Sequence, residues 1–227
     1  MFDVISFDFG GTIAYEVKEE YLVYHEILEE LGCTIDVDMI KKALERAREW
    51  WKDEKARTGR VWDERSRLEY VKRMLTHLNL SNIDNFALEV AKLIPYKNMV
   101  KAYDDVEPTL KELKSRGYRL IIISNIASKN DLSIYLSKLG LKQYFDMLIA
   151  SGSIGYEKPN PKIFIQASKI LNTPTEKMLH VGNDYKHDYL GALSAGLKSI
   201  LIDRKGLYKD KQCVRISKLT ELISFLT

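Results

Sequence analysis

Asp8 is followed at once by a glycine-rich turn, Gly10-Gly11-Thr12. A carboxylate held beside free backbone N–H groups can attack an electrophilic phosphorus or carbon and form a covalent ester. The plainer reading of the same residues is a turn with an Asx cap. Ser124-Asn125 ends an apolar run and offers a hydroxyl to an anion, or a cap to a following helix. Lys158 lies in Gly155-Tyr156-Glu157-Lys158-Pro159-Asn160-Pro161, where its ammonium could offset a carboxylate and a phosphate. A lone lysine otherwise reads as solvated surface. Gly182-Asn183-Asp184 and Asp188 bring two carboxylates and an amide into one short segment. Such oxygen donors suit Mg²⁺, which takes a few carboxylates and keeps waters. As pure structure, Asp184 and Asp188 read as N-caps favoured by a helix dipole.

Spread from Asp8 to Asp188, these groups need a scaffold that gathers them. Residues 2–8 alternate apolar and polar and stop at the glycine turn, which predicts a strand. From about Tyr15 to Leu93 the spacing is helical. Tyr21, Tyr24, Ile27, Leu28 and Leu31 mark one helix ending at Gly32, and Met39 to Arg57 a second ending at Gly59. Leu68, Val71, Met74 and Leu75 mark a third, and Phe86 to Leu93 a fourth, with no strand-like run in the block. After Pro95 strands and helices alternate. Helices are predicted over Val106–Ser115 (N-cap Asp105), Lys129–Leu139, Pro161–Leu171 and Asp188–Ala195, with one more at the end. Strands are predicted over Arg119–Ser124, Met147–Ala150, Met178–Val181, Ser199–Ile202 and Val214–Ile216. Alternation of this kind means right-handed crossovers and a parallel sheet. The expected fold is α/β: a Rossmann-like parallel sheet with helices on both faces, residues 1–14 and 95–227, plus an inserted all-helical block, residues 15–94. Ligands of such sheets bind at the carboxyl ends of the strands, where the groups above fall.

Composition narrows the function classes. The 227 residues are 45% hydrophobic and 30% charged, which excludes a disordered chain. A chain of this size buries roughly 70–75% of its extended surface and needs no staples. No stretch approaches the roughly 20 apolar residues of a membrane span. A net charge of +3 with interleaved signs gives no basic groove for nucleic acid. Cys33 and Cys213 fit no metal or redox spacing and read as buried free thiols. The start, Met1-Phe2-Asp3-Val4, has no basic leader region, so a cytoplasmic chain is expected. Three glutamines among many Lys and Glu hint at a thermophilic source.

Taken in order, Asp-x-x-Gly-Thr, apolar strand-Ser-Asn, Lys-Pro and apolar strand-Gly-x-Asp resemble the haloacid dehalogenase superfamily of hydrolases. The likeness covers nearly the whole chain. Asp8–Thr12 is similar to the family's first motif, Ile121–Asn125 to its second and Lys158 to its third. Val181-Gly182-Asn183-Asp184 through Asp188, with Gly191-Ala192 and Ala195-Gly196, is similar to its fourth. The helical block resembles the family's cap inserted after the first strand. The resemblance implies a nucleophilic Asp8, an aspartyl intermediate hydrolysed by water, and Thr12, Ser124 and Lys158 holding the transferring group or the nucleophile, with Asn125 of the second motif a further catalytic candidate. In its phosphatases it implies Mg²⁺ at Asp8, the carbonyl of Gly10 and the acidic fourth motif, here Asn183, Asp184 and Asp188.

Two positions depart from the family's phosphatases. Gly10 stands where they place a second Asp as general acid, a loss that costs on the order of 10²–10⁴ in rate. Acyl and aryl phosphates, which leave without much protonation, should suffer least. Asn183 stands where they place a metal-binding Asp, and an amide oxygen is the weaker Mg²⁺ ligand. Both departures also suit the metal-free 2-haloacid dehalogenases of the family, or a scaffold that binds without fast chemistry. Against the dehalogenases, Gly182 and Asp184 differ from their Ser-Ser-Asn, and two carboxylates near an anion call for a cation. A dehalogenase would also want a cap arginine, for which Arg46, Arg48, Arg57, Arg60, Arg65 and Arg67 are candidates, most of them expected on solvated helix faces. His187 and Glu157 could stand in for the missing acid. Tyr15 and Glu16 sit at the entry to the cap, and Trp50, Trp51 and Trp62 read as packing residues. His25, His77 and His180 show no partner pattern. The reading is a hydrolase of a small anionic substrate, a Mg²⁺-dependent phosphatase ahead of a dehalogenase, with monomer and homodimer both open.

Overall fold

The computed structural model describes residues 2–78, 80 and 82–226. The chain packs as two compact units, Met1–Tyr15 with Lys101–Thr227, and Glu16–Val100.

The first unit is built on a six-stranded sheet. Its strands are β1 (Val4–Phe7), β4 (Arg119–Ser124), β5 (Met147–Ala150), β6 (Met178–Gly182), β7 (Lys198–Ile202) and β8 (Arg215–Ile216). Their order is β5-β4-β1-β6-β7-β8, and every pairing is parallel. Helices α5 (Val106–Ser115), α6 (Lys129–Lys138), α7 (Ser151–Ile154), α8 (Lys162–Leu171), α9 (Gly191–Ser194) and α10 (Glu221–Phe225) complete the unit. In β4, Leu120, Ile121, Ile122 and Ile123 alternate between faces and are all fully buried, so both faces of the sheet are covered. Helix α8 lies on the face of Val4, Ile121 and Ile123 through Ile163, Phe164 and Ala167. From β1 the sheet runs outward through β4 to β5, then returns to β6 and runs the other way. The reversal leaves a crevice at the carboxyl end of β1, the usual ligand site of such sheets.

The second unit is helical: α1 (Glu20–Glu30), α2 (Val37–Thr58), α3 (Glu64–His77) and α4 (Ile83–Lys97). Asp36 and Asp63 cap α2 and α3 through their carboxylates, and Gly59 ends α2 with φ 68°, a conformation glycine adopts without strain. The core gathers Ile27, Leu28, Leu44, Val71, Met74 and Leu75, with Trp50, Trp51 and Trp62 packed against it. Trp62 stands edge-on to Trp51 and Tyr70 at 5.0 and 5.5 Å, so the tryptophans serve packing as expected.

Several expectations change. The block from residue 15 contains strand: Tyr15 and Glu16 lie in β2 (Ala14–Glu16), which pairs with β3 (Val100–Ala102). Three residues are too short a run for periodicity to show. Asp105 does not cap α5; its carboxylate takes the Arg204 guanidinium at 2.8 and 3.0 Å and the Leu219 N–H at 2.7 Å. The helix placed at Asp188–Ala195 opens earlier, as a π-helical turn over Tyr185–Leu190 followed by α9. Cys33 and Cys213 are partly exposed free thiols, not buried ones. Arg67 is buried, not solvated.

Candidate active site

Asp8 follows β1, and its backbone N–H donates to the Val181 carbonyl of β6 at 2.9 Å. Phe7 pairs with Ile122 and with Val181, so the ends of β4 and β6 flank the Asp8 position. Lys158 donates from Nζ to Asp8 Oδ1 and to Asp188 Oδ1, both at 2.6 Å. All three side chains are buried, Lys158 to 2% exposure. The solvated-surface reading of Lys158 does not apply. One ammonium spans two carboxylates that would otherwise repel.

The protonation states follow. Burial pushes the Asp8 carboxyl up to about 6, against the pull of Lys158 and with a push from Asp188. Burial would also raise Asp188, but Lys158 and the His180 hydrogen bond hold it well below the usual carboxylate range. Burial alone would lower Lys158, yet Asp188 and Asp8 keep its ammonium more basic than usual. Burial lowers His180, so this ring is neutral near pH 7.

Asn125 faces the segment that carries Lys158. Its amide clamps the backbone of Lys158, with Oδ1 accepting the Lys158 N–H at 2.7 Å and Nδ2 donating to the Lys158 carbonyl at 2.8 Å. Helix α6 is capped by Ser128, whose Oγ accepts the Asp131 N–H at 3.2 Å. Ser124 is therefore not a cap, and its buried hydroxyl stands at the end of β4. Thr12 donates from Oγ1 to Asn183 Oδ1 at 3.2 Å, tying the loop after β1 to the loop after β6. A Cβ on Gly11 would lie 2.5 Å from Asn183 Nδ2, and Gly11 has φ 82°, so both contact and backbone require glycine. Gly182 is confined likewise, since a Cβ there would lie 2.2 Å from the Asp188 Cγ. Gly10 is different: a Cβ would meet nothing within 4 Å.

The fourth segment divides its carboxylates. Asp188 turns inward, where Oδ2 also accepts the Asp184 N–H at 2.9 Å. Asp184 turns to His187, accepting its N–H at 2.7 Å and facing its Nδ1 at 2.9 Å. His187 is 44% exposed and paired with that carboxylate. The structure thus gathers Asp8, Lys158 and Asp188 directly and joins Thr12 to Asn183. It gives Asp184 a partner of its own. In the helical unit, Arg57, Arg60 and Arg65 pair with Glu54 or Glu69, Arg48 pairs with Glu20, and Arg46 is exposed.

A family model for haloacid dehalogenase-like hydrolases matches residues 2–196. The chain belongs to the haloacid dehalogenase-like hydrolases. A glyceraldehyde 3-phosphate phosphatase of Methanothermobacter thermautotrophicus is 36% identical over 115 residues, covering 49% of this chain and 50% of the relative. The chain spans about half the length of the curated relatives it matches. A haloacid dehalogenase-family phosphatase of Thermococcus onnurineus superposes with a TM-score of 0.65 at 28% identity, covering 99% of this chain and 97% of the other. A 2-haloacid dehalogenase of Pseudomonas syringae shares the fold with a TM-score of 0.76 at 20% identity, covering 100% and 98%.

On this scaffold, two residues at the site escaped the motifs. Ser6 lies two residues before Asp8 on one strand face, and His180 two before Gly182, yet both carry polar groups into the sheet. The period of 2 along β1 and β6 was the available signal. Among the described residues no helix is long and apolar enough to cross a membrane.

Proposed function

We propose that the chain is a Mg²⁺-dependent phosphatase of small anionic molecules that works through an aspartyl-phosphate on Asp8. One observation carries the reading: a buried Lys158 ammonium shared at 2.6 Å by Asp8 and Asp188 at the carboxyl edge of the sheet. The trio carries a net charge of −1. A phosphate ester beside it would add about two further negative charges, which a divalent cation would offset.

The residues present fit such an ion by their chemistry. Asp8, Asp188, the Gly10 carbonyl and the Asn183 amide offer hard oxygens only, while Asp184 is the further acidic candidate. Among the described residues no group of three or more His, Cys, Asp and Glu side chains could hold a metal ion by itself, so Mg²⁺ here would rest on few protein ligands and keep several waters. Bound there, Mg²⁺ would supply electrostatic stabilisation of the charge on the transferring phosphoryl group.

In the first step an Asp8 oxygen attacks phosphorus, and the bond from phosphorus to the leaving oxygen breaks. Lys158 keeps Asp8 ionised and lines up its free oxygen; in this reading the Ser124 hydroxyl, and the Thr12 hydroxyl once it turns from Asn183, would donate to the phosphoryl oxygens. Water then attacks phosphorus, the bond to Asp8 breaks, and inorganic phosphate leaves with the carboxylate restored. With glycine at position 10, the leaving oxygen departs without a proton from that position, which favours acyl and aryl phosphates over alkyl ones. The helical unit Glu16–Val100 is read as the cap that selects the substrate, and the expected setting is cytoplasmic.

The test is hydrolysis of p-nitrophenyl phosphate, acetyl phosphate and glyceraldehyde 3-phosphate, with Mg²⁺ and with chelator, by wild type and Asp8→Asn. Turnover that needs both Mg²⁺ and Asp8 is the expected result. Halide release from 2-haloacids in the presence of chelator would replace it with dehalogenation, the reading that Gly10 and Asn183 also suit. No turnover of either kind would leave a binding role.

A further inference from the structure

Ser6 and His180 face each other across neighbouring strands, paired directly by the parallel register of β1 and β6. Both are fully buried. Ser6 Oγ lies 2.9 Å from His180 Nδ1, and His180 Nε2 lies 3.3 Å from Asp188 Oδ1. Phe164 stands edge-on to the imidazole with ring centres 5.0 Å apart. The ring is thus fixed on three sides, and the chemistry proposed above uses neither Ser6 nor His180.

The partners dictate the protons. Asp188 Oδ1 accepts from the Lys158 ammonium at 2.6 Å, so the nitrogen facing that oxygen must bring a hydrogen of its own. A doubly protonated ring, shut away from water, would be a costly buried charge. The neutral ring carries its single hydrogen on Nε2, and Nδ1 is left to accept the Ser6 hydroxyl. The carbonyl of Leu179, at 3.2 Å, is the hydroxyl's longer alternative.

The same count fixes Asp188. Its Oδ1 takes Lys158 and His180, and its Oδ2 takes the Asp184 N–H. A carboxylate offers about four acceptor positions, so about one is left, on Oδ2. We propose that Ser6 and His180 are positioning residues that lock the Asp188 carboxylate so that it presents a single open lone pair, on Oδ2, to the site. The inference deepens the reading of Asp188 as a member of the active constellation and rests on it for its functional meaning.

Groups behind a ligand typically change metal affinity or activity by about 10–100-fold when removed. The first measurement needs no turnover. Selective ¹⁵N-histidine labelling reports the tautomer of each of the four histidines, and the spectrum of His180→Gln assigns the His180 signal. A neutral ring protonated at Nε2 is expected; protonation at Nδ1 would overturn the proposal. The second is Mg²⁺ binding by calorimetry. His180→Leu should weaken it roughly 10–100-fold. His180→Gln, whose amide N–H reaches the position of Nε2, should recover most of the loss, and Ser6→Ala should lie between. Equal weakening by Leu and Gln would reduce His180 to packing and overturn the assignment. If His180→Leu does not fold, the wild-type tautomer and Ser6→Ala still decide. If wild type hydrolyses no phosphate while the Nε2 tautomer is found, the phosphatase reading fails and the lock on Asp188 stands.

Discussion

The charge on Lys158 decides whether Asp8 and Asp188 can both be ionised within one buried cluster. Lys158→Met would strand two carboxylates in the sheet edge. Removing one partner of a buried pair costs about 3–5 kcal/mol, and urea titration at pH 7 should show a loss of that order together with loss of turnover. Gly10 makes the opposite kind of prediction, a gain. A side chain there meets nothing within 4 Å. Gly10→Asp should therefore be accommodated and should raise turnover of alkyl phosphates, by up to roughly 10²–10⁴-fold. Aryl phosphates, which need no proton, should change little. Steady-state rates on paired alkyl and aryl substrates check the contrast; an equal change on both would remove the role given to position 10.

Elements carry these residues through few but buried ties. Arg204 follows β7, donates to both oxygens of Asp105 before α5 and to the Thr12 carbonyl at 2.9 Å, and lies 3.8 Å from the Tyr103 ring centre. Burial alone would raise Asp105, but the Arg204 fork and the Leu219 N–H hold it below the usual carboxylate range. A carboxyl lowered on folding adds stability above its unfolded value near 3.9, and that stability is lost as pH falls through the lower folded value. The melting temperature of Asp105→Asn should therefore trail wild type most at pH 6, and the gap should close as pH drops below about 4. A gap that widens in acid would contradict the ion pair. This tie also shows where sequence reading stops. The strands and the helices from Val106 onward were legible because apolar runs of four to six residues and glycine stops are local signals. Asp105 looked like a cap because its true partners lie far along the chain. The Asn125 clamp on the Lys158 backbone was hidden for the same reason, and β2 and β3 were too short to announce themselves.

At the scale of the molecule, two cores answer to different sequences. Met74 is fully buried in the core of the helical unit. Met74→Ala should cost about 2–5 kcal/mol, and hydrogen exchange should quicken across Glu16–Val100 with β1, β4 and β6 left protected. Protection lost equally in the sheet would mean the two units unfold as one. The family and the α/β class were legible at this scale, since ordered short signals over a whole chain specify a family better than any one of them does. How the site closes was not: Ser6 and His180 are ordinary letters in their strands, and only the register makes them neighbours. The central place of β1 has a consequence for how the protein is made. Asp8 is 150 residues from Lys158, Thr12 is 171 from Asn183, and Ser6 is 174 from His180. Contacts at such separations form slowly, because distant segments must be ordered before they reward the loop they close. The helical unit can settle through nearer contacts while synthesis continues. Asp8 is thus translated well before Lys158 and Asp188, so under the function proposed above a nascent chain carries no competent Asp8 until Asp188 has emerged.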